Sequence, residues 1–426
     1  METASNLFDK LSAVIQLKTV TREFESGGGD GDFFNTIHRL FPTLCEHALI
    51  KQINGGSIVF IIRDELPGKR ADLYIAHSDV VPTNDIAKWQ RPPFSGDIDE
   101  GYIHGRGAID NKGPLVAMLD AFDSLLLQGC RFNKRIIIAI GHDEEVGGEE
   151  GAAFVSTYLK ECGYEIDNVV DEGTPIFTDF LSSETPVGLV SVAEKGFLNI
   201  KIKLLGRPGH ASMPSEHTCI EKLSALICDL KKLNFHGVDS SVRDALFEAT
   251  KRLPTTSRLE LFDNFLVKNQ SDTTLVVTMI AGGVKQNVIP DSAEAIVHMR
   301  IAEGNSCEKV LNVLTELVES YKGSYEIINS RDPSSVADIE NDFYAALSRS
   351  ITAHTNAIVL PFTMMASSDS IHYQSMTSNI YRIMPFKLRM EDLSMIHGYN
   401  EKISIKNMTL AKNLYLDFFT SIYSFK

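Results

Sequence analysis

IIIAIGHDEEVGGEEG, Ile136 to Gly151, is the stretch on which the reading of this chain turns. With the preceding Arg135, the run RIIIAI has the branched, unbroken apolar character of a buried strand. Gly141, His142 and Asp143 then lead to two adjacent acids, Glu144 and Glu145. Two glycines and a second acidic pair, Glu149 and Glu150, follow. Carboxylates side by side at the mouth of an apolar strand repel each other and lose hydration, and both effects oppose folding. Buried charge persists where it is paired or coordinates metal, so the stretch points to bound cations.

Working outward, SIVFII and DLYIAH read as strands. GPLVAMLDAFDSLLLQG carries Leu115, Met118, Leu119, Phe122, Leu125 and Leu126 at helical spacing. A helix is expected from about Glu149 to Glu161, then the strand NVV. Strands separated by helices predict an α/β fold, a mainly parallel sheet flanked by helices, with functional groups just past the carboxyl ends of the strands. From about Ser191 the pattern changes. GFLNIKIKLLG and AEAIVHMRI alternate like strands half exposed to water, separated by the helix IEKLSALICDLKKL and a polar, helix-prone stretch from Val238 to Phe265. Strand and helix signals resume after Ile301, ending in a helix near Thr409 to Ile422. The expected organisation is one α/β domain, 1–190 and 303–426, interrupted by a smaller α+β domain, 191–302.

The 426 residues suit two domains. Acids outnumber bases 56 to 41, for a net charge of -15, which argues against a nucleic-acid partner. The N-terminus reads as an amphipathic helix with Leu7, Leu11, Val14 and Ile15 on one face, not as a signal peptide. No segment approaches the roughly 18 apolar residues of a membrane span. Six cysteines (Cys45, Cys130, Cys162, Cys219, Cys228, Cys307) form no CxxC pair, which suits reduced thiols and a cytoplasmic location. Any metal would be held by histidine and carboxylate.

Such groups stand after each central strand: His77, Ser78 and Asp79 after DLYIA; Glu144 and Glu145 after RIIIAI; Asp171 and Glu172 after NVV. Asp110, in GRGAIDNKG, opens a helix. An imidazole and several carboxylates on one rim form a ligand set for zinc or another divalent ion that accepts N/O coordination. Taken singly, each signal has an ordinary explanation. HxD commonly marks a surface or core histidine, and EE a solvated loop; GRGAIDNKG lacks the GK[ST] ending of a phosphate loop. Their joint occurrence, each after a strand, carries the argument.

AHSDVVP, W-(x)3-PF, GRGAIDNKG, DEEVGG, VVDEG, GRPGHAS, NVIPD and IHGYNEKI, in this order, resemble the M20 family of zinc peptidases and amidohydrolases. The resemblance runs from about His77 to the C-terminus and is nearest the aminoacylase and carboxypeptidase S branch. It implies two zinc ions per subunit, with cobalt or manganese as alternatives. His77 and Glu172 would hold one ion, Glu145 and His397 the other, and Asp110 would bridge them; Asp171 is the alternative to Glu172. Asp79 would fix the His77 tautomer. Glu144 would be the general base, acting on a water whose pKa the metals lower toward about 7. A cis peptide is implied at Asp110-Asn111, where relatives in this branch often carry a second Asp.

From the inserted domain, His210 resembles the histidine that reaches the oxyanion, often from a partner subunit. Arg300 resembles the arginine that grips a substrate carboxylate, and Asn287 a polar substrate contact. Otherwise these are a loop histidine, a strand charge and a turn asparagine. Arg300 and His298 share one face of their strand, opposite Ala295, Val297, Met299 and Ile301. One departure concerns SSDSIHY: Ile371 stands where the branch carries an arginine, and Ala366, Ser367 and Ser368 replace a glycine-rich start. The identity of the leaving amino acid is therefore open. The expected activity is hydrolysis of amide or peptide bonds in small substrates, releasing a C-terminal amino acid, by a homodimer paired through the inserted domain. The rivals are an N-acyl amino acid deacylase and a metal-free, non-enzymatic binding module.

Overall fold

A computed structural model describes residues 6–21, 30–183, 185–213, 217–233, 235, 240–251 and 253–423. Its centre is a ten-stranded, mainly parallel sheet. The order across it is 48–53, 57–62, 135–141, 70–77, 165–171, 380–382, 187–194, 176–177 and 387–388, with 358–364 pairing alongside 187–194. Ser57–Ile62 and Arg135–Gly141 are buried at every position, and Arg70–His77 at all but its first. Helices cover both faces, so these runs need no polar alternation.

One face carries Leu7–Ile15, Lys112–Leu127, Asp342–Thr355 and Ile405–Ile422 around a core that includes Tyr74, Phe122 and Phe419. The other is covered by Ala152–Glu161 through Val155 and Leu159. Asn6 starts the first helix by accepting the backbone N–H groups of Phe8 and Asp9. Parallel register aligns His77 with Gly141 and Tyr74 with Val170, so three strands end on one rim.

A second, antiparallel sheet has the order 274–282, 292–301, 196–205 and 324–331. Cys219–Leu230 and Cys307–Ser320 pack on its apolar face. Along Ser292–Ile301 burial alternates strictly, with His298 and Arg300 on the more exposed face as their spacing requires.

Two expectations about this region are corrected. Residue 302 is not where the small sheet's elements end: Ser324–Arg331 pairs with Gly196–Leu205, and Val310, Leu314 and Val318 pack beneath it, so these elements run to Arg331. The helix-prone stretch also does not belong to the small sheet. Val238 lies outside the described residues, but the helices Ser241–Thr250, Thr255–Asp263 and Phe265–Gln270 place Leu246, Leu261 and Leu266 against Phe177, Leu189 and Leu360 of the large sheet.

The backbone passes between the sheets at Glu194–Gly196 and at Arg331–Pro333. These crossings touch: a methyl group at Gly196 would collide with the Arg331 carbonyl oxygen and Pro333. Arg331 ion-pairs with the fully buried Glu194, and the Ser334 N–H donates to the Glu194 carbonyl at 2.9 Å.

Candidate metal centre

His77 ends its strand and Glu172 follows the strand ending at Asp171. Glu144 and Glu145 lie in a short turn after Gly141. Asp110 comes from the loop before helix Lys112–Leu127, and its peptide bond to Asn111 is cis. His397 arrives from a loop near the C-terminus. Two triads result, His77–Asp110–Glu172 and Asp110–Glu145–His397, each with one donor atom per residue lying within 4.8 Å of the others.

Asp110 is common to both and divides its oxygens between them. Oδ1 lies 3.2 Å from His77 Nε2, and Oδ2 lies 3.2 Å from His397 Nε2. Glu172 Oε2 is 3.4 Å from His77 Nε2, and Glu145 Oε2 is 3.1 Å from His397 Nε2. Ligands about 2.0–2.1 Å from a tetrahedral zinc are separated by about 3.3 Å, so these spacings fit such an ion.

The electrostatics agree with that fit. Burial, reinforced by Glu172, raises Glu144 well above the usual carboxylate range. Burial also pushes Glu172 up to about 7 despite the nearby His77, with Asp110 adding to the rise. Hydrogen bonds donated to Asp110 and Glu145 carry His397 up to about 10. Burial disfavours a His77 cation, yet Glu172 and Asp110 more than reverse that. Acids that retain protons and imidazoles that gain them mark a site short of positive charge. Glu145 Oε1 is buried and has no hydrogen-bond partner. The residues fit a pair of divalent cations.

Asp79 organises this rim. His77 Nδ1 lies 3.1 Å from its carbonyl oxygen and 3.3 Å from Oδ1. The two Asp79 carboxylate oxygens accept the backbone N–H groups of Glu144 and Glu145, each at 3.2 Å. One buried acid thus orients an imidazole and fixes the turn carrying both glutamates. Asp171 points elsewhere: its oxygens accept the N–H of Glu172 at 2.8 Å and of Ser370 at 3.0 Å. Asn111 donates to Glu172 through its side-chain amide.

Not every candidate converges on the rim. His210 is exposed on a two-residue strand, its Nδ1 2.7 Å from Ser212 Oγ, and the Asn287 carbonyl accepts the Ala211 N–H beside it. Among the described residues no hydrogen bond or ion pair joins either to the triads. Arg300 Nη1 lies 3.4 Å from Ser367 Oγ, which Arg331 Nη2 also approaches at 3.1 Å. Arg331 and the buried Arg382 share Glu194. Asp369 is fully buried near Gly141 and Gly148 with both oxygens unpartnered. Arg331, Arg382 and Asp369 were not singled out by their sequence context. For Asp369 the available signal was its place in SSDSIHY.

Together, the fold and this rim define a metal-dependent hydrolase. The chain belongs to Peptidase family M20/M25/M40, whose model matches residues 73–421. It is similar to the N-fatty-acyl-amino acid synthase/hydrolase PM20D1.1 of Danio rerio, with 32% identity covering 95% of this chain and 84% of that protein. It is also similar to the probable carboxypeptidase S-like 2 of Dictyostelium discoideum, with 31% identity covering 88% and 76%. Among solved structures, an M20 family metallo-carboxypeptidase from Sulfolobus solfataricus shares the fold with a TM-score of 0.70. Its identity is 17%, covering 97% of this chain and 98% of that one. Human carnosine dipeptidase 1 gives a TM-score of 0.66, also at 17% identity, covering 97% and 95%.

Proposed function

We propose that this protein is a co-catalytic two-zinc amide hydrolase that releases a C-terminal amino acid from a small acyl or peptidyl substrate. The observation that carries the reading is the division of Asp110, one oxygen toward each triad, with Glu144 beside it and belonging to neither. His77, Asp110 and Glu172 hold one ion, and Asp110, Glu145 and His397 the other. When bound, the ions supply Lewis acidity, polarising the amide carbonyl and making water acidic near neutral pH. Glu144, with Oε2 4.0 Å from His77 Nε2, takes the proton of the attacking water and returns it to the leaving nitrogen. Asp79 keeps the imidazole and both glutamates in register.

Arg300 binds the substrate carboxylate, supported by its position beside Ser367 and Arg331. The exposure of His210, with no bond to the triads among the described residues, supports a role across a homodimer, where it stabilises the oxyanion of the partner's site with Asn287 alongside. The edge strand Thr274–Gly282 exposes Val276 and Met279 on one face and Ile280 on the other, an apolar edge suited to pairing two copies. Six unpaired cysteines, two of them exposed, suit a reducing, cytoplasmic setting. No helix among the described residues is long and apolar enough to cross a membrane.

A second reading, deacylation of an N-acyl amino acid, changes only the acyl side. It is favoured by the name of the fish relative and by the apolar Ile371. The test is a panel of dipeptides and N-acyl amino acids offered to protein reconstituted with zinc, cobalt or manganese. Release of the free amino acid is expected, and the better acyl class decides between the readings. Fully loaded protein that cleaves neither class would overturn both.

A further inference from the structure

Two of the sequence motifs, GRGAIDNKG and IHGYNEKI, meet in a place the chemistry above does not use. Glu401 is fully buried and its carboxylate is saturated. Oε1 accepts the backbone N–H groups of Ile109 at 2.7 Å and Asp110 at 3.2 Å. Oε2 accepts the N–H of Gly107 at 3.0 Å and Arg106 Nη1 at 2.8 Å. The Glu401 carbonyl takes the Gly105 N–H at 2.9 Å. Arg106 is also buried, and its other terminal nitrogen, Nη2, donates to the Gly398 carbonyl at 2.8 Å. The Trp89 ring lies 5.2 Å from the guanidinium and meets Tyr399 edge-on, which absorbs the W-(x)3-PF motif as well.

Three of these bonds, to Ile109, Asp110 and Gly398, fall at or next to a proposed ligand. Glu401 holds the backbone of Asp110, the residue common to both triads. Arg106 holds Gly398, the neighbour of His397. His397 has φ +59, a left-handed conformation uncommon outside glycine, and the bond to the next residue's carbonyl braces it. His397 is also the most exposed of the proposed ligands, with 53% of its side chain open to solvent, so packing alone does little to place it. A guanidinium suits this task because its fork serves two acceptors in fixed directions, a carboxylate on one side and a carbonyl on the other.

We infer that Arg106 is a positioning residue for the second metal ion: it sets His397 relative to Asp110, while Glu401 sets Asp110 for both ions. The inference rests on the two-ion reading above. The asymmetry is its testable content, because the Arg106–Gly398 bond concerns one triad and the Glu401–Asp110 bond concerns both.

The experiment titrates metal-free protein with Co2+, followed by visible absorbance and calorimetry, with thermal unfolding of the metal-free forms alongside. Wild type should take two equivalents. Arg106→Lys, whose single ammonium cannot serve both acceptors, should keep one tight equivalent and weaken the other roughly 10–100-fold. Glu401→Gln should weaken both. Should Arg106→Lys fail to fold, Trp89→Leu leaves the ion pair in place, removes its aromatic cover together with the Trp89 Nε1 bond to the Thr83 carbonyl, and should weaken the same single equivalent by less. Two unchanged equivalents in the variant that folds, or equal weakening of both, overturns the inference. Fewer than two equivalents in wild type overturns the two-ion reading itself.

Discussion

At the scale of single residues, the proposed function asks the rim to separate holding metal from moving protons. Glu144 and Glu145 are chemical twins one position apart, yet only Glu145 lies within reach of the second triad. Replacing Glu144 by Ala should lower turnover by about 10²–10⁴-fold and leave metal content at the wild-type level. Elemental analysis checks this, and metal lost together with activity would mean that base and ligand are interchanged. Removing the metal should cost stability, because the triads pack carboxylates whose charge then goes uncompensated. Zinc returned at a hundred times its Kd should stabilise the fold by about 2.7 kcal/mol per ion, read as a rise in unfolding temperature. Histidines and acids after strands were legible because strand ends announce themselves by hydrophobicity. Arg331, Arg382 and Glu194 were not. A buried arginine looks like a surface one until its partner, far away in sequence, is known.

At the scale of elements, continuous apolar runs gave the central strands correctly because helices cover both faces of that sheet. Ser324–Arg331 escaped notice for the opposite reason. As an edge strand it is mostly exposed, its apolar Ile327 and Ile328 among the exposed side chains, so it shows no inward period. Helix Cys307–Ser320 presents a clear apolar stripe, but a stripe does not say which sheet it covers. The other edge, Thr274–Gly282, allows a direct test of assembly. Met279→Lys with Ile280→Lys places charge on two exposed apolar positions, 63% and 60% open, and should convert a dimer to a monomer in light scattering after size exclusion. An unchanged mass would remove this edge from the interface.

For the whole molecule, His210 tests whether the site is finished by one chain or two. If His210 serves a partner's rim, mixing inactive His210→Ala with inactive Glu144→Ala chains should restore activity. The mixed dimer then has one rim with both an intact Glu144 and an intact opposing His210, so recovery should approach a quarter of wild type at equal mixing. Recovery measured against mixing ratio checks this, and none at any ratio would mean that each chain completes its own site.

The passages at Glu194–Gly196 and Arg331–Pro333 carry one more consequence. Gly196 lies so close to the Arg331 carbonyl oxygen and Pro333 that no side chain fits between them. Position 196 therefore admits glycine alone, and any larger residue there would wedge the two segments apart.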